Sequence, residues 1–290
     1  MASVWAPSNQ YKRVAEANRR SYERSASLYD KTETCVVSGR LQSMLQNDLD
    51  TILLMIRGDS GRQVHALDAC GGSGNAALKL LTRGVDVTLC DISPELIRLF
   101  ESKYEEKGAA RYTAVCQEIG SFLSSTKLKF DLIVFSSALH HIEDYTSVLK
   151  MAASHLNNNG FIYTVFDPIK WKFPTYQIIW VDWLFFAALK CPGELFSAAN
   201  RKLSRKVRRP KSGHVSTTEN LRSTDLDLDT LTEYHVRQGI DDFALVNALE
   251  ETGLKIVRHD RYSDARHAPF RLLLSMLKQP TNFKLLLSAS

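Results

Sequence analysis

The stretch that most constrains the fold runs from Gln63 to Asp91. A short apolar run, Val64 to Ala69, meets the small-residue turn Cys70-Gly71-Gly72-Ser73-Gly74. A helical pattern and a second apolar run follow, ending in Asp91. Strand, glycine turn, helix, strand and acid form the skeleton of a nucleotide-binding βαβ unit. Glycines let the backbone approach a ligand, a helix N-terminus favours negative charge, and an acid at the tip of the next strand can hold ribose hydroxyls.

From this unit onward the chain alternates regularly. Strands are expected at 64–69, 85–91, 111–116, 130–136 and 161–167, with helices at 74–83, 94–106, 119–125 and 144–156. Ser93 and Pro94 make an N-cap and first helical position, because proline's missing N–H is harmless there. Asn157-Asn158-Asn159-Gly160 reads as a helix stop, since both residue types tolerate the left-handed conformation. Such alternation implies a parallel sheet covered on both faces.

Upstream, residues 1–60 read as a helical cover, with a basic arm from Tyr11 to Arg24 and apolar positions from Leu41 to Ile56 at helical spacing. The alternation fails between Pro168 and Gly239. Structureless loops of that length are rare in compact domains, so residues 168–238 read as an inserted cap. A helix (241–252), a strand (255–262), another helix (269–278) and a closing strand (283–288) complete the chain. The domain reading is therefore a cover (1–60), a core (61–167), a cap (168–238) and the C-terminal part of the core (239–290).

Composition excludes little. The 290 residues are 44% hydrophobic, enough for a large core, and the net charge of +5 implies nucleic acid only if concentrated locally. Five scattered cysteines argue against a disulfide framework, and the N-terminus lacks a signal-peptide core, so a cytoplasmic protein is expected. The greasiest run, Ile178 to Leu189, contains Asp182 and falls short of the roughly 20 residues that span a bilayer.

Taken together, residues 63–167 resemble the class I S-adenosylmethionine-dependent methyltransferases, in particular their small-molecule branch, and residues 232–288 resemble them more loosely. The resemblance implies an α/β, Rossmann-like fold: a seven-stranded, mostly parallel sheet whose last strand inserts antiparallel beside strand 255–262. A helical N-terminal cover and a cap after the fifth strand complete it. It implies S-adenosylmethionine as cofactor and S-adenosylhomocysteine as product. Asp68, followed by Ala69, matches the acid that helps hold the cofactor's amino group. Gly72 and Gly74 match the later glycines of the Gly-x-Gly-x-Gly turn, with Gly71 between; Cys70 stands where the first glycine belongs. Asp91, followed by Ile92, matches the acid that grips both ribose hydroxyls, two acceptor oxygens meeting two donors. Glu118 fits the acid facing the adenine amino group, with Gln117 as alternative and Ile119 as the backbone contact. Ser136, Ser137 and the pair His140-His141 match the segment between cofactor and substrate, and Tyr29 matches a tyrosine that closes over the cofactor.

Methyl transfer from a sulfonium needs alignment, plus a base when the nucleophile carries a proton. His140 and His141 are the nearest candidates for that base, with helix capping and packing as the plain alternative; Tyr234 and His235 form a second pair, with loop packing as theirs. The cap holds seven aromatics between Trp171 and Phe186, suited to a hydrophobic acceptor, a membrane surface, a subdomain core or a dimer contact. Arg201, Lys202, Arg205, Lys206, Arg208, Arg209 and Lys211 place seven cations in eleven positions. They suit an anionic group on the acceptor, anionic lipid, RNA, or a solvated loop. Asp225, Asp227 and Asp229 read as an exposed linker rather than a metal site. The expectation is methyl transfer to a small hydrophobic or amphiphilic acceptor such as a natural-product, quinone or isoprenoid-like intermediate, at or near a membrane. The rivals are an RNA or protein methyltransferase using the basic run, and a fold member that binds the cofactor without methylating.

Overall fold

The structure, a computed structural model, describes residues 5–58, 62–104, 111–190, 239–265 and 267–289. Its chain clusters into two units: residues 1–170, 228–261 and 282–290 in the first, and 171–227 and 262–281 in the second.

The first unit opens with α1 (Asn9–Thr32), α2 (Thr34–Val37) and α3 (Gly39–Arg57), then alternates strand and helix. The strands are β1 (His65–Ala69), β2 (Asp86–Asp91), β3 (Tyr112–Cys116), β4 (Phe130–Ser136) and β5 (Leu156–Pro168). Between and after them lie α4 (Asn75–Leu81), α5 (Pro94–Lys103), α6 (Ile119–Ser125), a 3-10 turn (Leu139–His141) and α7 (Tyr145–Ser154). The helix starts follow from their caps. Ser93 accepts from the Leu96 N–H ahead of Pro94, Asp144 accepts from Ser147, and Glu118 accepts from Gly120 and Ser121.

The seven strands are ordered β3-β2-β1-β4-β5-β7-β6, where β6 is Leu254–Tyr262 and β7 is Asn282–Ala289. β1 pairs parallel with β2 and β4, β2 with β3, and β4 with β5, while β7 runs antiparallel to β5. The expected seven-stranded sheet with an antiparallel last strand is the one observed, and β4 is an unbroken buried run from Phe130 to Phe135 because both sheet faces are covered.

Two details depart from the sequence reading. The Asn157–Gly160 tetrad does not stop a helix: α7 ends at Ser154 and β5 already begins at Leu156, paired with Phe130. Asn159 takes φ 62° inside a register shift, so its tolerance of the left-handed conformation serves an irregularity in the strand. The N-terminal arm is also longer than its basic stretch suggests, one helix of 24 residues. Buried Asp131 pins the lower edge, accepting from the His65 N–H (2.9 Å), Arg62 (2.8 Å) and Asn157 (2.9 Å). α3 is tied to the sheet through Asp48, which takes Tyr163 and Lys284, each at 2.6 Å. α9 (Asp242–Glu250) closes this unit, with Asp242 accepting from His259 and Arg261.

The second unit holds α8 (Thr175–Lys190) and α10 (Ala268–Met276). Its core is Ile178, Ala265 and Leu274, with Ile179 and Phe270 against them. Asp182, buried, accepts from the His267 N–H (3.1 Å) and bonds its Nδ1 (2.7 Å), and the Trp171 indole donates to the Thr281 carbonyl (2.8 Å). Residues 262–281, assigned by sequence to the core, cluster instead with 171–227. Among the described residues no helix is long and apolar enough to cross a membrane.

Candidate cofactor site

Strand order reverses between β1 and β4, so their C-terminal ends diverge and leave a crevice, the usual ligand position in such sheets. A cleft partly open to solvent lies there within the first unit. The turn after β1 forms one wall. Cys70 and Gly72 adopt φ 54° and 53°, Gly74 φ 81°, and the Gly74 N–H closes on the Gly71 carbonyl at 2.8 Å. A Cβ on Gly74 would stand 2.2 Å from the Phe100 ring, so close packing of α5 requires glycine there. Cys70 takes the left-handed conformation despite its side chain.

Asp91 is the hub. Its Oδ2 accepts from the Gly72 N–H and its Oδ1 from the Ser93 N–H, both at 2.8 Å. Burial raises its carboxyl to about 6, against the opposing pull of these N–H groups. Asp68 is fully buried behind the turn and pushed up to about 7 by the same desolvation. Its Oδ2 accepts from the Ala77 N–H at 2.8 Å, whereas Oδ1 has no partner among the described residues. Glu118 spends its carboxylate on the α6 N–H groups of Gly120 (2.7 Å) and Ser121 (2.9 Å) and on the Tyr11 hydroxyl.

The opposite wall is α1. Tyr11, Val14, Ala15, Asn18, Tyr22 and Tyr29 recur at helical spacing and face the cleft. Burial raises the three phenols, so they remain protonated donors. The Tyr22 hydroxyl and His141 Nε2 are hydrogen-bonded (2.7 Å), and the Asn18 amide donates to the His141 carbonyl (2.9 Å). The Asn18 carbonyl oxygen is buried without a partner among the described residues. Ser73 and Lys103 both bond Asp30, at 2.6 and 2.8 Å, tying the end of α1 to the turn and to α5.

Of the residues singled out by sequence, Tyr29, Cys70, Gly72, Asp91, Ile92, Gln117, Glu118, Ile119, Ser137 and His141 line the cleft. Asp68, Ala69, Gly71, Gly74 and Ser136 stand behind it, shaping the turn and the strand ends. His140 is not among the lining residues: its Nδ1 lies 2.8 Å from Asp167 Oδ1, and burial raises that aspartate to about 7. Tyr234, His235, the seven cations from Arg201 to Lys211 and Asp225, Asp227 and Asp229 lie outside the described residues. Sequence reasoning found only Tyr29 on α1; Tyr11, Asn18 and Tyr22 were legible as one helical stripe. Charge completes the picture: Asp91, Glu118 and Glu143 face the cleft, with no lysine or arginine among its described lining. Such a site favours a cationic ligand rich in hydrogen-bond donors.

Residues 66–160 match the family described as methyltransferase domain, and the fold is the one shared by methyltransferase structures with which the chain aligns. The chain is 30% identical over 152 residues to the tRNA 5-carboxymethoxyuridine methyltransferase of Escherichia coli (strain K12), a match covering 51% of this chain and 56% of the relative. It thus spans little more than half the length of the curated relatives it matches. The magnesium protoporphyrin IX methyltransferase of Synechocystis PCC 6803, solved with bound SAH, aligns at TM-score 0.51 and 15% identity over 97% of this chain and all of that one. The N-methyltransferase NodS of Bradyrhizobium japonicum WM9, in complex with S-adenosyl-L-homocysteine, aligns at TM-score 0.51 and 14% identity over 93% and 97%. At these identities the two structures share the fold.

Proposed function

We propose that the protein transfers a methyl group from S-adenosylmethionine to a small, apolar or amphiphilic acceptor. The observation that carries this reading is Asp91: a buried carboxylate at the tip of β2, held by the glycine-turn backbone and opening onto an acid-lined cleft. The residues fit the cofactor. Asp91 offers acceptor lone pairs to two adjacent ribose hydroxyls, the Oδ1 of Asp68 behind the turn has no partner among the described residues, and the acidic lining suits a sulfonium. Bound there, the cofactor supplies an electrophilic methyl group.

The chain's own part is alignment and exclusion of water. The tyrosines of α1 wall the cleft on one side and the turn on the other. His141 is the candidate base nearest the cleft, and its Nε2 is occupied by the Tyr22 hydroxyl. It can take a proton through that atom only when Tyr22 turns aside. The apolar lining, Val14, Ala15, Ala138 and Ile142, and the lack of a facing cation favour a neutral or apolar acceptor over an anionic one.

A second reading, methylation of RNA, is favoured by the tRNA-modifying relative. Cofactor turnover separates the two. S-adenosylhomocysteine should accumulate with quinone- or isoprenoid-like acceptors and not with total tRNA. Turnover on tRNA alone, falling steeply with salt, would overturn the small-acceptor reading.

A further inference from the structure

The second unit is apolar outside as well as inside. α8 turns Thr175, Ile178 and Asp182 inward, yet its outward arc carries Tyr176 (59% exposed), Trp180 (56%) and Val181 (45%), with Gln177 beside them. α10 buries Leu274, and its outward arc carries Leu272 (63%) and Met276 (73%). The two helices pack on each other, so these residues belong to one small unit. Several large apolar side chains exposed on one small unit make a candidate contact surface.

We propose that the outward surface of α8 and α10 docks on an anionic lipid bilayer. Three observations select that occupant. Among the described residues of this unit the only acids are Asp182, buried against His267, and Asp264, half-buried, while Lys172 and Lys278 are exposed. Among those described residues no exposed acid opposes a negative surface. Trp180 and Tyr176 are amphipathic rings of the type that sits at the headgroup level. The chain that continues from α8 carries seven cations between Arg201 and Lys211, each able to add attraction to anionic headgroups. Among the described residues no helix is long and apolar enough to cross, and the proposed mode is lying on the surface. This inference does not depend on methyl transfer, but it would bring the cleft's protein to where apolar acceptors dissolve.

Flotation of the full chain with vesicles of phosphatidylcholine, with and without phosphatidylglycerol, tests it. The protein should float with the mixed vesicles, release as salt rises, and lose at least about tenfold in partitioning in Trp180→Ser/Met276→Ser. Circular dichroism and the melting temperature check that the variant is folded. Should it unfold, Trp180→Phe serves instead: wild-type fluorescence should be quenched by brominated acyl chains, and that variant should lose part of the quenching. No flotation, flotation indifferent to both variants, or a dimer abolished by the substitutions would overturn the proposal, the last assigning the face to a second copy.

Discussion

Gly74 and Cys70 show how one turn can hold two opposite solutions to the same backbone demand. Both adopt positive φ, but only at Gly74 does a ring, Phe100, stand where a Cβ would go. A side chain at Cys70 is tolerated because the left-handed conformation costs roughly 1–2 kcal/mol and no neighbour forbids it. Gly74→Ala adds a steric clash to that strain and should destabilise by on the order of 3 kcal/mol. Chemical denaturation checks this, and a loss under about 1 kcal/mol would mean that α5 shifts freely. The glycine pattern made the turn legible in the sequence, and Asp91 with it. The partners of Asp91 were not legible, because a bond from Gly72 across nineteen residues is fixed only by packing β1 beside β2.

Among the elements, α1 gives the cleft its second wall and has no counterpart in the βαβ pattern. Its tyrosines meet Glu118, His141 and the turn, and Asp30 meets Ser73 and Lys103. A helix held mostly by contacts across a cleft opens locally, and a ligand filling the cleft suppresses that opening. S-adenosylhomocysteine should therefore slow amide exchange in residues 11–29 by at least about tenfold more than in α9, which touches none of the cleft. Equal slowing in both helices would show that α1 is no separate cover. The stripe from Tyr11 to Tyr29 was readable in principle, since its spacing is helical. Its basic neighbours drew the reading toward a basic arm within a helical cover. The start of β5 was misread for a different reason: Asn and Gly serve helix ends and strand irregularities alike, and only pairing with β4 decides between them.

At the scale of the whole molecule, the parallel sheet gathers buried acids at one edge. Asp68, Asp91 and Asp167 end three strands of the switch region, and burial raises each of them, to about 7, 6 and 7. Alternation and caps made this sheet legible from sequence, whereas the clustering of residues 262–281 with 171–190 depends on contacts no local pattern encodes. A raised carboxyl pKa stabilises the folded chain at low pH, a contribution lost as pH rises through the folded value. Ligand binding has the opposite sign: hydroxyl donors need the ionised Asp91, so cofactor affinity rises with pH through about 6 and then levels. Calorimetric titration of the protein with S-adenosylhomocysteine, wild type beside Asp91→Ala, is the most direct measurement of the account. It predicts wild-type binding that strengthens from pH 5 to 7 and, at pH 7, a loss of at least about tenfold in the variant, given charge-assisted bonds to two hydroxyls. Absence of wild-type binding, or equal affinity in the two proteins, would contradict it.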